Sequence, residues 1–135
     1  MPDNISTRAT YSGVAIGRTC WAVAEGYIPP HSHGAGPDLE SHEVLCVLNT
    51  GVNDAKVELT IFFEDRAPAG PYRFTVLAQR TRHLRLNTLR DPEPIPKNTP
   101  FSSLLISDVP IVVQHSRLDS RQAELALLST IAFPV

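Results

Sequence analysis

No apolar run in this 135-residue chain exceeds a handful of residues, far short of the roughly 18 that a membrane-spanning helix needs. The leader, Met1 to Ala15, holds acids and hydroxyls but no hydrophobic stretch. Neither a secretory signal nor a span is expected, and the protein is expected to be cytoplasmic. Cysteine is scarce: Cys20 and Cys46 are the two thiols, and in a reducing compartment they are expected to be buried and free rather than bridged. Cationic excess is missing too. Twelve Lys and Arg against fourteen Asp and Glu leave a net charge of -2, which excludes a general electrostatic grip on phosphate backbones. A local basic patch is still compatible with that balance, because ten of the twelve cations are arginine, whose planar fork suits carboxylates and phosphates.

Catalytic signatures are absent as well. Gly34-Ala-Gly36 lacks the lysine and the following helix of a phosphate loop. Ser41-His42-Glu43 puts three triad residue types side by side, but neighbours on a strand point to opposite faces and cannot converge. The chain therefore reads as a binding module rather than an enzyme, with no catalytic residue, metal or cofactor assigned.

What is present is a β pattern. Prolines and glycines cut the chain every ten to fifteen residues or so, and the pieces between are rich in Val, Ile, Thr, Phe and Leu with a two-residue period. Lys56 to Glu64 is the clearest: Val57, Leu59, Ile61 and Phe63 share one face, and Glu58, Thr60 and Glu64 the other. Glu43 to Asn49 is apolar at nearly every position, as for a strand covered on both sides, and Thr50 to Asp54 supplies turn residues. These two strands are expected to form a hairpin. Further strands are expected at Ile16–Glu25, Tyr72–Leu77, Arg80–Asn87, Phe101–Ser107, Val109–His115 and Leu125–Phe133. About eight short strands with proline-rich connections predict an all-β, two-sheet antiparallel sandwich of Greek-key or jelly-roll type. Residues 1–15 are read as a polar, flexible leader and residues 16–135 as the single sandwich domain. Asp119-Ser-Arg-Gln122 carries a helix-start signal, read as one short helical turn before the last strand.

Several polar residues fall on core-facing parities. Along Arg80 to Asn87, Arg82 shares a face with Leu84 and Leu86, so its guanidinium needs an acid or an anionic ligand. An ion pair with Glu25 or Glu43 and a ligand role are both open. His115 and Arg117 continue the parity of Ile111 and Val113, while Trp21 shares a face with Val23 and Glu25. An aromatic face beside Arg, His, Glu and Asn is the composition of a site for a sugar or another small polar molecule. Trp21, Glu25, Arg82, His115 and Arg117 are expected to converge on one pocket. His31, His33 and Glu40 could instead hold a metal in a cupin-like enzyme, although the pair follows Pro29-Pro30 in a glycine-rich loop.

Three runs carry a resemblance: Ile16-Gly-Arg-Thr-Cys-Trp-Ala-Val-Ala-Glu-Gly-Tyr-Ile-Pro-Pro30, Pro110-Ile-Val-Val-Gln-His-Ser-Arg-Leu-Asp-Ser-Arg-Gln-Ala-Glu124 and Ala126-Leu-Leu-Ser-Thr-Ile-Ala132. From Ile16 to about Phe133 the chain resembles the Anabaena-type sensory rhodopsin transducer family. The leader and the loop His31 to Leu39 depart from it. The resemblance implies a cytoplasmic β-sandwich assembled as a homotetramer, which signals through contact with the cytoplasmic face of a membrane sensory rhodopsin. It also implies a small polar ligand, with sugars as one class, and a DNA role has been attached to the wider family. The residues matching its characteristic runs, carried over as ligand-binding, are Trp21, Glu25, Glu43, Asn49, Arg82, Asn87, His115, Arg117 and Asp119. The competing reading is a DNA-binding transcriptional regulator using Arg80, Arg82, Arg85 and Arg90.

Overall fold

The computed structural model describes residues 12–135. It contains eight strands: β1 (Arg18–Val23), β2 (His42–Asn49), β3 (Ala55–Phe63), β4 (Ala69–Val76), β5 (Arg80–Arg85), β6 (Phe101–Asp119), β7 (Ala126–Ile131) and β8 (Phe133–Pro134). Among the described residues the helical content is two single 3-10 turns, Pro37–Leu39 and Leu86–Thr88. The all-β class read from the sequence holds. Every pairing is antiparallel, in one sheet ordered β4-β3-β6-β1-β8 and a second ordered β5-β2-β6-β7.

Strand β6 belongs to both sheets. Its first part pairs with β3 and β1, and its second part with β2 and β7. The sequence predicts two strands here, Phe101–Ser107 and Val109–His115, but the chain runs through as one strand of 19 residues. Pro110 does not break it, because the missing N–H falls in a bulge: Arg18 faces Ile111 while Cys20 faces Ile106, so the residues between are thrown out of the ladder. Trp21 ties this bulge, its indole N–H donating to the carbonyls of Arg18 and Ile111, both at 2.9 Å. Gly17 lets the backbones meet there. Its φ is +106°, and a Cβ on it would lie 2.0 Å from the Ile111 carbonyl oxygen.

The inner faces of the two sheets share one core. Leu45 and Val47 from β2 and Val113 from β6 meet Val57, Leu59, Ile61, Tyr72 and Leu105 from the other sheet. Each fully buried aliphatic side chain stabilises the fold by roughly 1.5–3 kcal/mol relative to exposure. The alternation read along β3 is the observed one. Strand β2 differs from expectation: it alternates rather than being covered on both faces, with Glu43, Leu45, Val47 and Asn49 buried and Leu48 40% exposed.

The expected β2–β3 hairpin does not form. Strand β2 pairs with β5 and β6, and β3 with β4 and β6, because Thr50 to Asp54 carries the chain from one sheet to the other. Asn49 braces that crossover: its carboxamide donates to the carbonyls of Asn53, Val76 and Leu77 and accepts from Gly51 N–H. The expected helical turn at 119–122 is also missing. The Asp119 carboxylate accepts from the backbone N–H of Arg121 and from its guanidinium, a local turn that competes with helix initiation. Both cysteines are free, as expected, but half-buried rather than buried. The end of the leader region is bonded to the sandwich, Val14 C=O accepting from Thr50 Oγ1 and that oxygen accepting from Ile16 N–H. Residues 1–11, most of the proposed leader, lie outside the described residues.

Candidate functional site

Inward parity puts Glu43 among Leu45 and Val47, and its side chain is 0% exposed. A bare carboxylate there would cost several kcal/mol, so it must be paired. The antiparallel register supplies the partner by setting Glu43 opposite Arg117 on β6, with His115 two residues away on the same face. Arg117 Nε donates to Glu43 Oε1 at 2.5 Å, Tyr27 N–H to the same oxygen at 2.8 Å, and His115 Nε2 bonds the other oxygen. Both carboxylate oxygens are thus in use.

Arg117 carries the network outward. Its Nη2 donates to Glu25 Oε1 at 2.7 Å, and Glu25 is 65% exposed. Burial alone would pull the guanidinium down, but the hydrogen bonds and charges of Glu25 and Glu43 outweigh it and hold Arg117 above its ordinary value. His115 Nε2 faces Glu43, and among the described residues its Nδ1 is buried without a hydrogen-bond partner. The Tyr27 ring lies within 5.8 Å of the Arg117 guanidinium and 5.6 Å of that of Arg121, at cation–π range. Its hydroxyl donates to Asn98 Oδ1 at 2.5 Å. Asp119 closes the far side in a bidentate pair with Arg121, whose hydrogen bonds hold the Asp119 carboxyl below the usual range against the opposing effect of burial. An open cleft of about 540 Å³ lies alongside, lined by Asp119, Arg121, Gln122, Glu124 and Ala126.

The structure therefore joins Glu25, Glu43, His115 and Arg117, with Asn87 beside them donating to the Ser41 carbonyl and accepting from Glu43 N–H. It does not bring in Trp21, Asn49 or Arg82, so the expected convergence is incomplete. The Trp21 donor is taken by the bulge and the Asn49 amide by the crossover turn. Arg82 does point toward the interior side, but at the open edge of the sandwich, where it lies over the Phe74 ring at 5.5 Å and donates to the Thr75 carbonyl at 2.8 Å. A carbonyl and an aromatic face take the place of the expected acid.

The other arginines of the DNA reading are also engaged locally. Arg80 donates to the Gln79 carbonyl, Arg85 to that of Pro37, and Arg90 to those of Asn87 and Leu89. His31 and His33 are exposed, Glu40 lies 3.6 Å from Arg85 and 3.8 Å from Lys97, and among the described residues no cluster of three metal-ligating side chains occurs. Another groove, about 640 Å³, lies on the outside of the first sheet around Lys56, Glu58, Arg73 and Ile106. Its charged side chains are all exposed, so the buried network is the better candidate site.

Sequence reasoning missed Tyr27, Arg121 and a buried serine pair. Ser41 Oγ contacts Ser120 Oγ at 3.1 Å, accepts from Ser120 N–H and donates to the His31 carbonyl, pinning the 31–41 loop beside Glu43. Tyr27 could have been found from its place two residues after Glu25, at the turn that Gly26 makes. Nothing local marks Ser41 or Ser120.

The family model described as Anabaena sensory rhodopsin transducer matches residues 16–134. Among solved structures, the chain is similar to an Anabaena sensory rhodopsin transducer at 57% identity, over 76% of this chain and 99% of that one, with a TM-score of 0.68. It is also similar to Thermotoga maritima 1070 at 38% identity, over 88% of this chain and 96% of that one, with a TM-score of 0.78. No curated protein matches.

Proposed function

The chain belongs to the Anabaena sensory rhodopsin transducer family, and from that premise we propose a cytoplasmic, non-catalytic signalling module that binds a small polar molecule and relays its state through protein contact. The assembly is a homotetramer, the ligand class is a polyol or sugar, and the partner is the cytoplasmic face of a membrane sensory rhodopsin.

One observation carries the reading: a 65% exposed acid, Glu25, is connected through Arg117 to the fully buried Glu43. A hydroxyl-rich ligand competing for Glu25 loosens its hold on Arg117. Arg117 then settles on Glu43, which also holds the Tyr27 backbone. The shift is felt in β7, because Leu128 is the register partner of Arg117. Strand β7 is exposed along its whole length and apolar at Leu127, Leu128 and Ile131, as suits a contact surface.

Thermal shift against a panel of monosaccharides and polyols tests the ligand. A member of the panel should raise the Tm of the wild type and leave that of Glu25→Gln unmoved. No response from the wild type at millimolar concentrations sinks the ligand reading. Light scattering at micromolar concentration tests the assembly, with about four times the 14.8 kDa chain mass expected.

A further inference from the structure

Strand β2 runs from the Glu43 end to Asn49, so the crossover turn at residues 50–54 lies at the end of the sandwich opposite the buried network. Three segments meet at that turn. Thr50 Oγ1 donates to the Val14 carbonyl and accepts from Ile16 N–H, while Gln79 N–H donates to the Gly51 carbonyl. Each segment turns aliphatic side chains to solvent: Val14, Ile16, Val52 and Leu77 are 62%, 51%, 69% and 58% exposed. Polar groups of the same turns are spent on one another. The Asn49 carboxamide takes up Gly51 N–H and the carbonyls of Asn53 and Val76, and Asp54 takes up Ala78 N–H at 2.8 Å. An apolar tip with its backbone groups paired in this way enters a water-poor phase without stranding those donors and acceptors.

Cations outnumber acids around this tip. Arg18, Lys56, Arg80 and Arg82 stand at the strand ends beside it, against Asp54 and Asp108. Among the described residues the three arginines donate to backbone carbonyls and to no carboxylate, whereas both acids accept from backbone N–H groups. The acids Glu25, Glu43, Asp119 and Glu124 lie at the other end, so a chain of net charge -2 presents a locally positive pole. We propose that this tip docks on an anionic phospholipid surface, with Val14, Ile16, Val52 and Leu77 entering the headgroup boundary and Arg18 and Arg80 meeting the phosphates. Exposed aliphatics flanked by arginines are the combination that holds a protein on such a surface. Composition favours lipid over a protein occupant: the exposed apolar side chains here are Val, Ile and Leu, with no aromatic residue among those described, while protein interfaces draw their binding energy from Trp, Tyr and Arg and little from Leu or Val. The contact is separate from the Glu25 relay and stands or falls apart from it.

Co-sedimentation of the full chain with vesicles tests it. Vesicles of phosphatidylglycerol and phosphatidylcholine should carry the wild type down, pure phosphatidylcholine vesicles should carry down far less, and the difference should shrink as salt rises. Val52→Asp and Leu77→Asp should each weaken binding to the mixed vesicles by about tenfold or more. Both positions are exposed, so thermal melts and light scattering should match the wild type. The double variant Arg18→Gln with Arg80→Gln should lose the preference for the anionic vesicles. Leu127→Asp, on β7 and 77% exposed, should bind as the wild type does. A wild type that stays in the supernatant with anionic vesicles overturns the proposal, and so does binding that survives both Val52→Asp and Leu77→Asp or that is lost in Leu127→Asp. Binding only to vesicles that contain a sensory rhodopsin overturns the lipid contact and leaves the protein contact proposed above standing.

Discussion

Among the described residues Arg117 is the sole guanidinium bonded to Glu43, at 2.5 Å, and it sits between that fully buried carboxylate and the exposed Glu25. One cation serves two acids in very different surroundings, so the two ends of the network respond differently to substitution.

Replacing the cation strands the buried end. Arg117→Ala leaves the Glu43 carboxylate, among the described residues, with Tyr27 N–H and His115, and should cost roughly 3–5 kcal/mol of folding stability. Chemical denaturation of ligand-free protein measures it. A loss below about 1 kcal/mol would mean that Glu43 is held without Arg117, and that the guanidinium is free for a ligand.

The two acids should separate in the same assay. Glu25 is 65% exposed, so Glu25→Gln removes a surface pair worth about 0–1 kcal/mol. Glu43→Gln leaves a half-satisfied network in the core and should cost at least about 2 kcal/mol more. Equal effects would contradict the burial difference on which the relay depends.

Part of this was legible in the sequence and part was not. Parity placed His115 and Arg117 on the core side, since a two-residue period needs no tertiary information, whereas Glu43 entered the site only through the family resemblance. Parity also turned Arg82 inward, but its partner depends on which strand lies across the open edge, and there β4 offers the Thr75 carbonyl and the Phe74 ring. The continuity of β6 was hidden at Asp108, which reads as a turn between Phe101–Ser107 and Val109–His115 unless the bulge opposite Arg18 is known. The β2–β3 hairpin was a sound local inference that failed because the Thr50–Asp54 turn changes sheets. The helix signal at Asp119 was real chemistry used otherwise, its carboxylate occupied by Arg121.

That occupied carboxylate predicts an acid-side pH effect. Its hydrogen bonds from Arg121 hold Asp119 below the ordinary aspartate range. A carboxyl depressed in the folded state adds stability above its unfolded pKa, and that increment is lost as pH falls through the lower folded value. Arg121→Gln should therefore lower the Tm at about pH 7 and make little difference near pH 2. A gap between wild type and variant that is unchanged across this range would show that the pair does not stabilise the fold.

The bulge that lets β6 serve both sheets should be the least forgiving backbone site. Gly17→Ala must adopt a φ of +106° and brings a Cβ to 2.0 Å from the Ile111 carbonyl oxygen, a contact that backbone atoms cannot relieve by rotating a side chain. Gly36 provides the control, with a φ of +76° and nothing within 4 Å of its added Cβ, so Gly36→Ala should cost only the backbone strain of about 1–3 kcal/mol. Trp21→Phe probes the same bulge from the other side, because it keeps most of the apolar bulk but removes the donor shared by the Arg18 and Ile111 carbonyls, at about 1–3 kcal/mol. Denaturation midpoints should rank Gly17→Ala as the most damaging of the three. A Gly17→Ala protein no less stable than Gly36→Ala would mean that β1 and β6 do not approach as closely as described, and the single-strand crossing through Pro110 would lose its support.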